Sequence, residues 1–346
     1  MKKSLFDYKL PRELIAEKPV ERGHSRMMIL SRKSGKIRHG EFSEIVNILP
    51  ENTSMVFNAT KVIPARIFGK KKTGGAVEVL LIKKIKETEW EVMIKSSGKI
   101  REGADICFRP DIFCRVKEKK GKKALVRFYP ENVDVLGFAD KAGDMPLPPY
   151  ILGKRGEKIS RKEDRFSYQT VYAEKPGSVA APTAGLHFNE NLLGSLEKKF
   201  SGRIYNVYLN VGPGTFEPVS AGDIRDHKMH GEEYYVPEKT AEKINKDKKN
   251  GKMILSVGTT TVRTLESVCE NGRIQPGKGE TELFIYPGYE YKFVDAVLTN
   301  FHLPCSTLLM MISAFTGREN LMNAYKEAVS KSYRFYSYGD CMLILP

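Results

Sequence analysis

Cysteine is scarce in this sequence, and no apolar run is long enough to cross a membrane. The longest such run, near Leu308, is far shorter than the roughly 20 residues of a membrane span, and Met1 to Leu10 lacks the apolar core of a signal peptide. No cysteine pair has the C-x-x-C spacing of zinc or redox sites. We therefore expect a cytoplasmic protein without membrane contact, whose thiols are free in a reducing compartment. The five cysteines are Cys107, Cys114, Cys269, Cys305 and Cys341.

Two kinds of site are also missing. No Gly-rich G-x-G-x-x-G turn follows the first predicted strand, which argues against a Rossmann methyltransferase. The six histidines offer one conceivable metal site, formed by Asp226, His227 and His230 in the stretch DHKMH. A histidine pair three residues apart, without a further definite ligand, is a weak signal for a metal. We therefore predict no metal.

Basic residues are in excess. The formal net charge is +15, which favours a polyanionic partner because each neutralised phosphate releases counterions. Residues 67 to 130 carry 17 Lys and Arg residues against 8 Asp and Glu residues. The same segment contains short alternating apolar runs, separated by turn signals, at intervals of roughly ten residues. This pattern predicts a small basic β-barrel or sandwich that contacts phosphates.

Strands and helices alternate on both sides of this module. Arg26 to Leu30 and Ser54 to Asn58 read as strands with a helical segment between them, which predicts a β-α-β opening. We predict an α/β protein in which a large mixed sheet domain, residues 1–66 and 152–346, is interrupted by a small all-β barrel domain with its return linker, residues 67–151. The later predicted strands are Tyr205 to Val211, Met253 to Val257, Leu283 to Tyr286, Val294 to Thr299 and Cys341 to Leu345. The later predicted helices are Glu190 to Phe200, Thr240 to Asn250, Thr261 to Glu270, Thr307 to Thr316 and Leu321 to Lys331.

Four stretches of small and polar residues suggest one shared ligand site. The first, PGSVAAPTAGLHF, has little that could fill a core and leaves its backbone open to a ligand. Each of the others begins as an apolar strand and breaks into Gly, Thr, Asn or Pro. In an open α/β sheet, ligands bind beyond the carboxyl ends of the strands, where such loops gather. The four stretches are 176–188, 207–216, 254–263 and 295–307.

The stretch ILSVGTTTVR has the pattern of an anion site. Gly258 permits close approach, Thr259, Thr260 and Thr261 supply hydroxyls, and the helix start presents free N–H groups. Arg263 lies one turn further on and can bind a carboxylate or phosphate through two hydrogen bonds. The remaining predicted substrate-binding residues are Thr183, Gly185, Gly212, Gly214 and Asn300.

Four of the six histidines fall in or beside these loops. Imidazole is the natural general acid or base near neutral pH, so we assign that role first to His187 and His302. Asp226 and His227 are further candidates. His230 is the fourth of these histidines.

Several long motifs resemble those of the S-adenosylmethionine:tRNA ribosyltransferase-isomerases of queuosine biosynthesis, in the same order along nearly the whole chain. The resemblance implies a large α/β domain interrupted by a β-barrel. It also implies that the ribosyl group of S-adenosylmethionine is transferred to 7-aminomethyl-7-deazaguanine at the wobble position of a tRNA with a GUN anticodon. The products would be epoxyqueuosine, adenine and methionine. The motifs are FNATKVIPAR (57–66), MPLPPYI (145–151), YQTVYAEKPGSVAAPTAGLHF (168–188), VGTTTVRTLES (257–267), LFIYPGYEYKFVDAVLTNFHLP (283–304) and AYKEAVSKSYRFYSYGDCMLIL (324–345).

The resemblance also has departures. Asn210 stands where relatives commonly have histidine, Gly231 where Ser or Glu is common, and Ala59 where a polar residue is frequent, so none of the three is assigned a catalytic role. Besides S-adenosylmethionine and tRNA we expect no cofactor, and we expect a monomer. A non-catalytic tRNA-binding protein and an S-adenosylmethionine-dependent RNA methyltransferase are the alternatives. The predicted tRNA-binding residues are Lys61, Arg66, Lys70, Lys71 and Lys72.

Overall fold

A computed structural model describes residues 1–156, 160–212, 214, 219 and 221–346. The chain forms two compact units. Unit 1 consists of Met1–Thr60, Thr170–Lys175 and Ala181–Pro346, and unit 2 consists of Lys61–Gln169 and Pro176–Ala180. None of the described helices is long and apolar enough to span a bilayer.

The described residues contain nineteen strands and nine α-helices. The strands are β1 (Arg26–Ser31), β2 (Ile37–Glu41), β3 (Thr53–Asn58), β4 (Thr60–Val62), β5 (Arg66–Lys71), β6 (Ala76–Lys84), β7 (Glu89–Ser96), β8 (Asp105–Cys107), β9 (Phe113–Lys120), β10 (Lys123–Tyr129), β11 (Lys175–Ser178), β12 (Ile204–Leu209), β13 (Glu232–Val236), β14 (Met253–Val257), β15 (Cys269–Glu270), β16 (Arg273–Ile274), β17 (Gly277–Thr281), β18 (Ala296–Asn300) and β19 (Cys341–Leu345). The helices are α1 (Ile45–Ile48), α2 (Val135–Ala142), α3 (Pro149–Arg155), α4 (Asp164–Ser167), α5 (Glu190–Lys199), α6 (Glu238–Lys249), α7 (Thr259–Ser267), α8 (Thr307–Thr316) and α9 (Arg318–Ser330).

Unit 1 is built on a nine-stranded mixed sheet with the order β17-β13-β12-β3-β14-β18-β19-β1-β2. β12, β3, β14 and β18 are mutually parallel, so their carboxyl ends meet at one edge, here called the carboxyl edge. β19 is antiparallel to β18 and parallel to β1. The amino ends of β19 and β1 therefore lie at the carboxyl edge as well.

The sheet of unit 1 is buried on both faces. Val56 of β3 belongs to the apolar cluster on one face, and its neighbour Phe57 belongs to the cluster on the other. Met27 and Met28 of β1 divide in the same way. Successive strand side chains point to opposite faces, so a continuous apolar strand sequence is what a two-sided core requires.

Unit 2 contains a closed six-stranded barrel with the order β10-β7-β6-β5-β8-β9, closed by the pairing of β9 with β10. All its strand pairs are antiparallel. Alternate residues of β6, Val77, Val79 and Leu81, are buried, as expected for strands with one face towards a barrel interior. The predicted fold class, a mixed α/β sheet with a small all-β barrel, is confirmed.

Three local predictions are wrong. β2 pairs with β1 as an antiparallel hairpin, so the opening of the chain is not a β-α-β unit. Residues 283–286 form no strand, and the edge strand is instead β17. The proline-rich stretch predicted as a linker, 145–151, contains the first three residues of α3, because Pro149 occupies a first-turn position where its missing N–H costs nothing.

Helix α5 carries one favourable and one unfavourable residue for helix stability. The side chain of its N-cap, Asn189, accepts a hydrogen bond from the backbone N–H of Leu192 at 2.8 Å, which satisfies a donor that the first turn leaves free. Gly194 lies in the helix interior, and a Cβ added there would meet nothing within 4 Å.

We predict opposite effects at these two positions of α5. Asn189→Ala should lower the free energy of unfolding by about 1 kcal/mol because the cap is lost. Gly194→Ala should raise it by about 1 kcal/mol because alanine restricts the unfolded chain and fits the exposed face. Urea unfolding followed by far-UV circular dichroism measures both. A shift of the same sign in the two variants would contradict the assigned helix start and exposed face.

Candidate active site

A buried amide joins three elements at the carboxyl edge. Asn58, at the end of β3, is fully buried. Its Nδ2 donates to the carbonyl of Leu209 at 3.0 Å and to Oγ1 of Thr260 at 3.2 Å. Its Oδ1 accepts from the backbone N–H of Leu209 at 3.0 Å and of Thr60 at 3.3 Å. The end of β3, the end of β12 and the start of α7 are therefore tied to one side chain.

The start of α7 has the predicted glycine but uses most of its hydroxyls internally. Gly258 has a φ of 88°, which other residues rarely adopt. Thr261 donates its hydroxyl to the carbonyl of Val257 at 2.7 Å, and that of Thr260 accepts from Asn58. Among the described residues, only the Thr259 hydroxyl of these three has no hydrogen-bond partner. The predicted cradle therefore has one free hydroxyl instead of three.

Arg263 binds protein groups on all three of its guanidinium nitrogens. It is 3 % exposed, and its Nη1 donates to Oε2 of the buried Glu232. Nε donates to the carbonyl of Leu283 at 3.2 Å and Nη2 to that of Thr281 at 3.3 Å. Oε1 of Glu232 accepts from the backbone N–H of Gly212 at 2.9 Å. The two carboxylate oxygens of Glu232 thus connect Arg263 to the loop that contains Gly212. Direct binding of substrate by Arg263 stays a prediction.

The loop after β12 is described only in part. Pro213, Thr215 and Phe216 of the predicted loop lie outside the described residues. A Cβ on Gly214 would clash with Cδ2 of His230, so the glycine lies directly against that imidazole.

Two of the catalytic candidates lie in the segment that precedes β13. Asp226 ends a short 3-10 turn and is exposed, and the half-buried ring of His227 meets Phe284 edge-on at 5.2 Å. No group of described residues has three His, Cys, Asp or Glu side chains arranged to hold a metal ion.

The turn Thr183–His187 packs against the same edge of unit 1. A Cβ on Gly258 would lie 3.6 Å from Cβ of Ala184. At Gly185 a Cβ would clash with the hydroxyl of Tyr172, so the close approach of that ring favours glycine here. Thr183 begins the turn and is half-buried.

His187 is buried between Ser25 and Asn300. Its Nδ1 lies 2.7 Å from Oγ of Ser25, and its ring is 4 % exposed. Asn300 lies close enough to His187 to raise the pKa of the imidazole. Nε2 of His187 and Oδ1 of Asn300 nevertheless do not meet the geometry of a full hydrogen bond. Burial, with the charges of Arg334 and Arg22, nevertheless lowers that pKa to about 4. The imidazole is therefore neutral at pH 7.

His302 has a different environment. Its Nε2 lies 2.8 Å from Oγ1 of Thr299, and its backbone N–H donates to the hydroxyl of Tyr325 at 2.8 Å. The hydroxyl of Tyr8 donates to its carbonyl. Burial alone lowers the pKa of His302 to about 3. Among the described residues no hydrogen bond joins it to His187.

The predicted loops thus converge at the carboxyl edge. The structure brings His187 and Asn300 together, and Ala184 beside Gly258. Ser25, Tyr172 and Arg334 belong to the same neighbourhood and were not predicted from the sequence. Tyr172 and Arg334 lie within motifs that resemble the family, but nothing in the sequence distinguishes them from other aromatic and basic residues. Ser25 lies outside these motifs, and no sequence pattern indicated a role for it.

The basic residues predicted to bind tRNA lie in unit 2. Some of them already bind other protein groups, and others are exposed. Lys72 forms an ion pair with Asp105 at 2.9 Å, and Arg66 lies 3.4 Å from Glu78. Lys71 donates to the carbonyl of Lys99 at 3.5 Å. Lys61 and Lys70 are exposed, and they have no partner among the described residues.

We predict that the two buried histidines make stability depend on pH. Their pKa values in the folded protein, about 4 and about 3, lie below the unfolded value of 6.5. Protonation therefore favours the unfolded chain, and the contribution of each histidine to the free energy of unfolding is complete above pH 6.5 and is lost as the pH falls towards 4. At pH 4.5 the loss is about 2–3 kcal/mol per histidine. Urea unfolding at several pH values measures this. His302→Gln should remove part of the slope, whereas His24→Gln, at an exposed position, should not. An unchanged slope in His302→Gln would contradict the prediction.

Comparison with known proteins gives the family. Residues 3–344 match the profile of the family described as queuosine biosynthesis protein. A protein of Thermosipho melanesiensis named S-adenosylmethionine:tRNA ribosyltransferase-isomerase is 48% identical over 99% of this chain and 100% of its own. One of the same name from Thermotoga maritima is 46% identical over 100% of both. The crystal structure of an S-adenosylmethionine tRNA ribosyltransferase from Thermotoga maritima covers 99% of this chain and 100% of its own, with 35% identity and a TM-score of 0.56. The chain belongs to the queuosine biosynthesis protein family.

Proposed function

We propose that this protein is an S-adenosylmethionine:tRNA ribosyltransferase-isomerase. It transfers and isomerises the ribosyl group of S-adenosylmethionine onto 7-aminomethyl-7-deazaguanine at the wobble position of tRNA, and it releases adenine and methionine. The observation that carries the proposal is the similarity, over the full length of both chains, to curated relatives of that name. The convergence of the predicted loops at one edge of the unit 1 sheet supports it.

The chemistry requires proton transfer in a site that excludes water. The sulfonium of S-adenosylmethionine acidifies the neighbouring C5′ protons, so a base can remove one and adenine can leave. The amine of the tRNA base then adds to the ribosyl group, and an epoxide closes as methionine departs. We propose that the proton-transfer groups are among His187, His302, Asp226 and His227. Burial of the first two is consistent with a site closed to water.

We also propose how the chain is divided into domains and which tRNA it binds. We propose that residues 1–66 and 152–346 form the catalytic domain and residues 67–151 the inserted barrel domain. The tRNA would have a GUN anticodon, and the exposed Lys61 and Lys70 are the strongest candidates for its phosphate contacts. We further propose that the protein is a cytoplasmic monomer that uses no metal.

Product analysis tests the proposed reaction. We expect the protein, incubated with S-adenosylmethionine and tRNA that carries the 7-aminomethyl base, to release adenine and methionine in equal amounts. Nucleoside mass spectrometry should detect epoxyqueuosine in the tRNA. Release of S-adenosylhomocysteine would identify a methyltransferase instead, and tRNA binding without consumption of S-adenosylmethionine would identify a binding protein. A matched control uses the same tRNA with guanine at the wobble position, which lacks the aminomethyl group that would accept the ribosyl group.

We predict strong energetic coupling between Arg263 and Glu232. Loss of either partner leaves a buried charge without its counterion, so Arg263→Met and Glu232→Gln should each lower the free energy of unfolding by about 3–5 kcal/mol. The double variant should lose much less than the sum, as measured by urea unfolding. The same cycle at the solvent-exposed pair Lys123–Glu91 should show little coupling. Additive losses at Arg263 and Glu232 would contradict the predicted pairing.

A further inference from the structure

Four buried polar atoms at the carboxyl edge of unit 1 lack a hydrogen-bond partner among the described residues. Two belong to His187 and Asn300, which are 4 % and 3 % exposed. An unmade hydrogen bond of this kind is unfavourable for folding, and buried polar groups in native proteins are rarely left so. Several together therefore indicate a bound molecule. The atoms are Nε2 of His187, Oδ1 of Asn300, the hydroxyl of Tyr172 and Nη1 of Arg334.

These four groups belong to one neighbourhood. His187 is close enough to Asn300 for hydrogen bonding to affect its protonation, and it responds to the charges of Arg334 and Arg22. Arg22 also acts on Tyr172, whose hydroxyl lies beside Gly185, two residues before His187. Two guanidinium groups thus contribute positive charge to this neighbourhood.

The hydrogen-bonding roles of two of these groups follow from their neighbours. Nδ2 of Asn300 donates to the carbonyl of Tyr336 at 3.0 Å, so Oδ1 is the acceptor that remains near His187. An acceptor at that position favours the tautomer of His187 with hydrogen on Nε2, and Nδ1 then accepts from the hydroxyl of Ser25. His187, Tyr172 and Arg334 accordingly offer donors, and Asn300 offers an acceptor.

Three donors, one of them a guanidinium group, complement an α-amino carboxylate when an acceptor lies beside them. The carboxylate oxygens accept from the donors, and the ammonium donates to the acceptor. We propose that the methionine end of S-adenosylmethionine binds here, with its carboxylate on Arg334, His187 and Tyr172 and its ammonium on Asn300. This inference rests on the proposed function. It leaves the C5′ proton to one of the other three catalytic candidates, because Nε2 of His187 already carries a hydrogen and Nδ1 accepts from Ser25.

Arg263 is the weaker candidate for that carboxylate, because its charge is already paired with Glu232. Its three nitrogens already donate to Glu232, Leu283 and Thr281. A tRNA phosphate has the same anionic chemistry as a carboxylate, and the experiment below separates the two sources.

Tyr172→Phe is the sharpest variant because it removes only the unpartnered hydroxyl. Its loss should leave the unfolding midpoint unchanged or raise it, since the folded protein without ligand gains nothing from that group. Affinity for S-adenosylmethionine should fall about 10-fold, the effect of losing a hydrogen bond to a charged group. Equilibrium dialysis measures this with the protein saturated with tRNA that has guanine at the wobble position, so that no turnover occurs.

The matched control is Tyr291→Phe. The hydroxyl of Tyr291 donates to the carbonyl of Met311 at 2.7 Å, so its removal should lower the unfolding midpoint and leave the affinity for S-adenosylmethionine unchanged. Arg334→Met gives a second test, and Arg26→Met is its control. The guanidinium of Arg26 donates to the carbonyl of Lys331 and lies over the Tyr333 ring. Arg334→Met should weaken S-adenosylmethionine binding, and Arg26→Met should not.

Decarboxylated S-adenosylmethionine distinguishes the possible outcomes. The unaltered protein should bind it more weakly than S-adenosylmethionine, and Tyr172→Phe and Arg334→Met should not weaken it further. Equal affinity of the unaltered protein for both compounds would overturn the subsite, as would unchanged S-adenosylmethionine binding in both variants. Weaker tRNA binding with a shallower salt dependence, but intact S-adenosylmethionine binding, would assign the site to a phosphate and also overturn it. Failure of the proposed function would appear separately, as absence of adenine release by the unaltered protein.

Discussion

The arrangement of unit 1 depends on one fully satisfied amide. Asn58 fills both its donor and acceptor capacity with four hydrogen bonds to Leu209, Thr260 and Thr60. Inside a protein such bonds are strong because water does not compete, and an amide that lost them would be costly to bury. The ends of β3 and β12 and the start of α7 are therefore fixed relative to one another. The adjoining loops can hold small polar residues because the position of the backbone does not depend on them.

The carboxyl edge combines satisfied and unsatisfied polar groups. Asn58, and the pair formed by Arg263 and Glu232, have their partners within the protein and keep the backbone rigid. His187 and Tyr172 each have a polar atom without a partner among the described residues. The folded state tolerates the polar groups that lack partners, because the unfavourable free energy of a few unmade hydrogen bonds is offset by packing elsewhere in the two-sided core. Such a division is typical of a binding site that is formed before its ligand arrives.

The sequence predicted this fold class because its strongest signals are local. Apolar runs broken by Gly, Thr or Asn identified β12, β14 and β18. The predicted helices Glu190 to Phe200 and Thr307 to Thr316 correspond to α5 and α8, which begin at the N-caps Asn189 and Ser306. The pairing of β17 with β13 joins distant segments, so this edge strand escaped detection. β2 was missed because its sequence, IRHGE, has only one large apolar residue and no buried one.

The approach of the loops to one another was predicted, whereas the contacts of their side chains were not. The loops converge as expected, yet only the structure reveals that Arg263 faces Glu232 and that Tyr172 lies against Gly185. Side-chain partners that are distant in sequence leave no periodic pattern. The motifs that resembled a known family located the neighbourhood of these residues, but they did not indicate which side chains face one another.

The order of strands in unit 1 has a consequence for how the protein folds. Met27 of β1 pairs with Cys341 of β19, and Met55 of β3 pairs with Ile204 of β12 and Leu255 of β14. Contacts between residues so far apart in sequence form slowly because a long loop must close before each is made. The barrel strands β6, β7, β9 and β10 include hairpins between near neighbours. We therefore expect the barrel to become ordered early, while the carboxyl edge is completed among the last steps of folding.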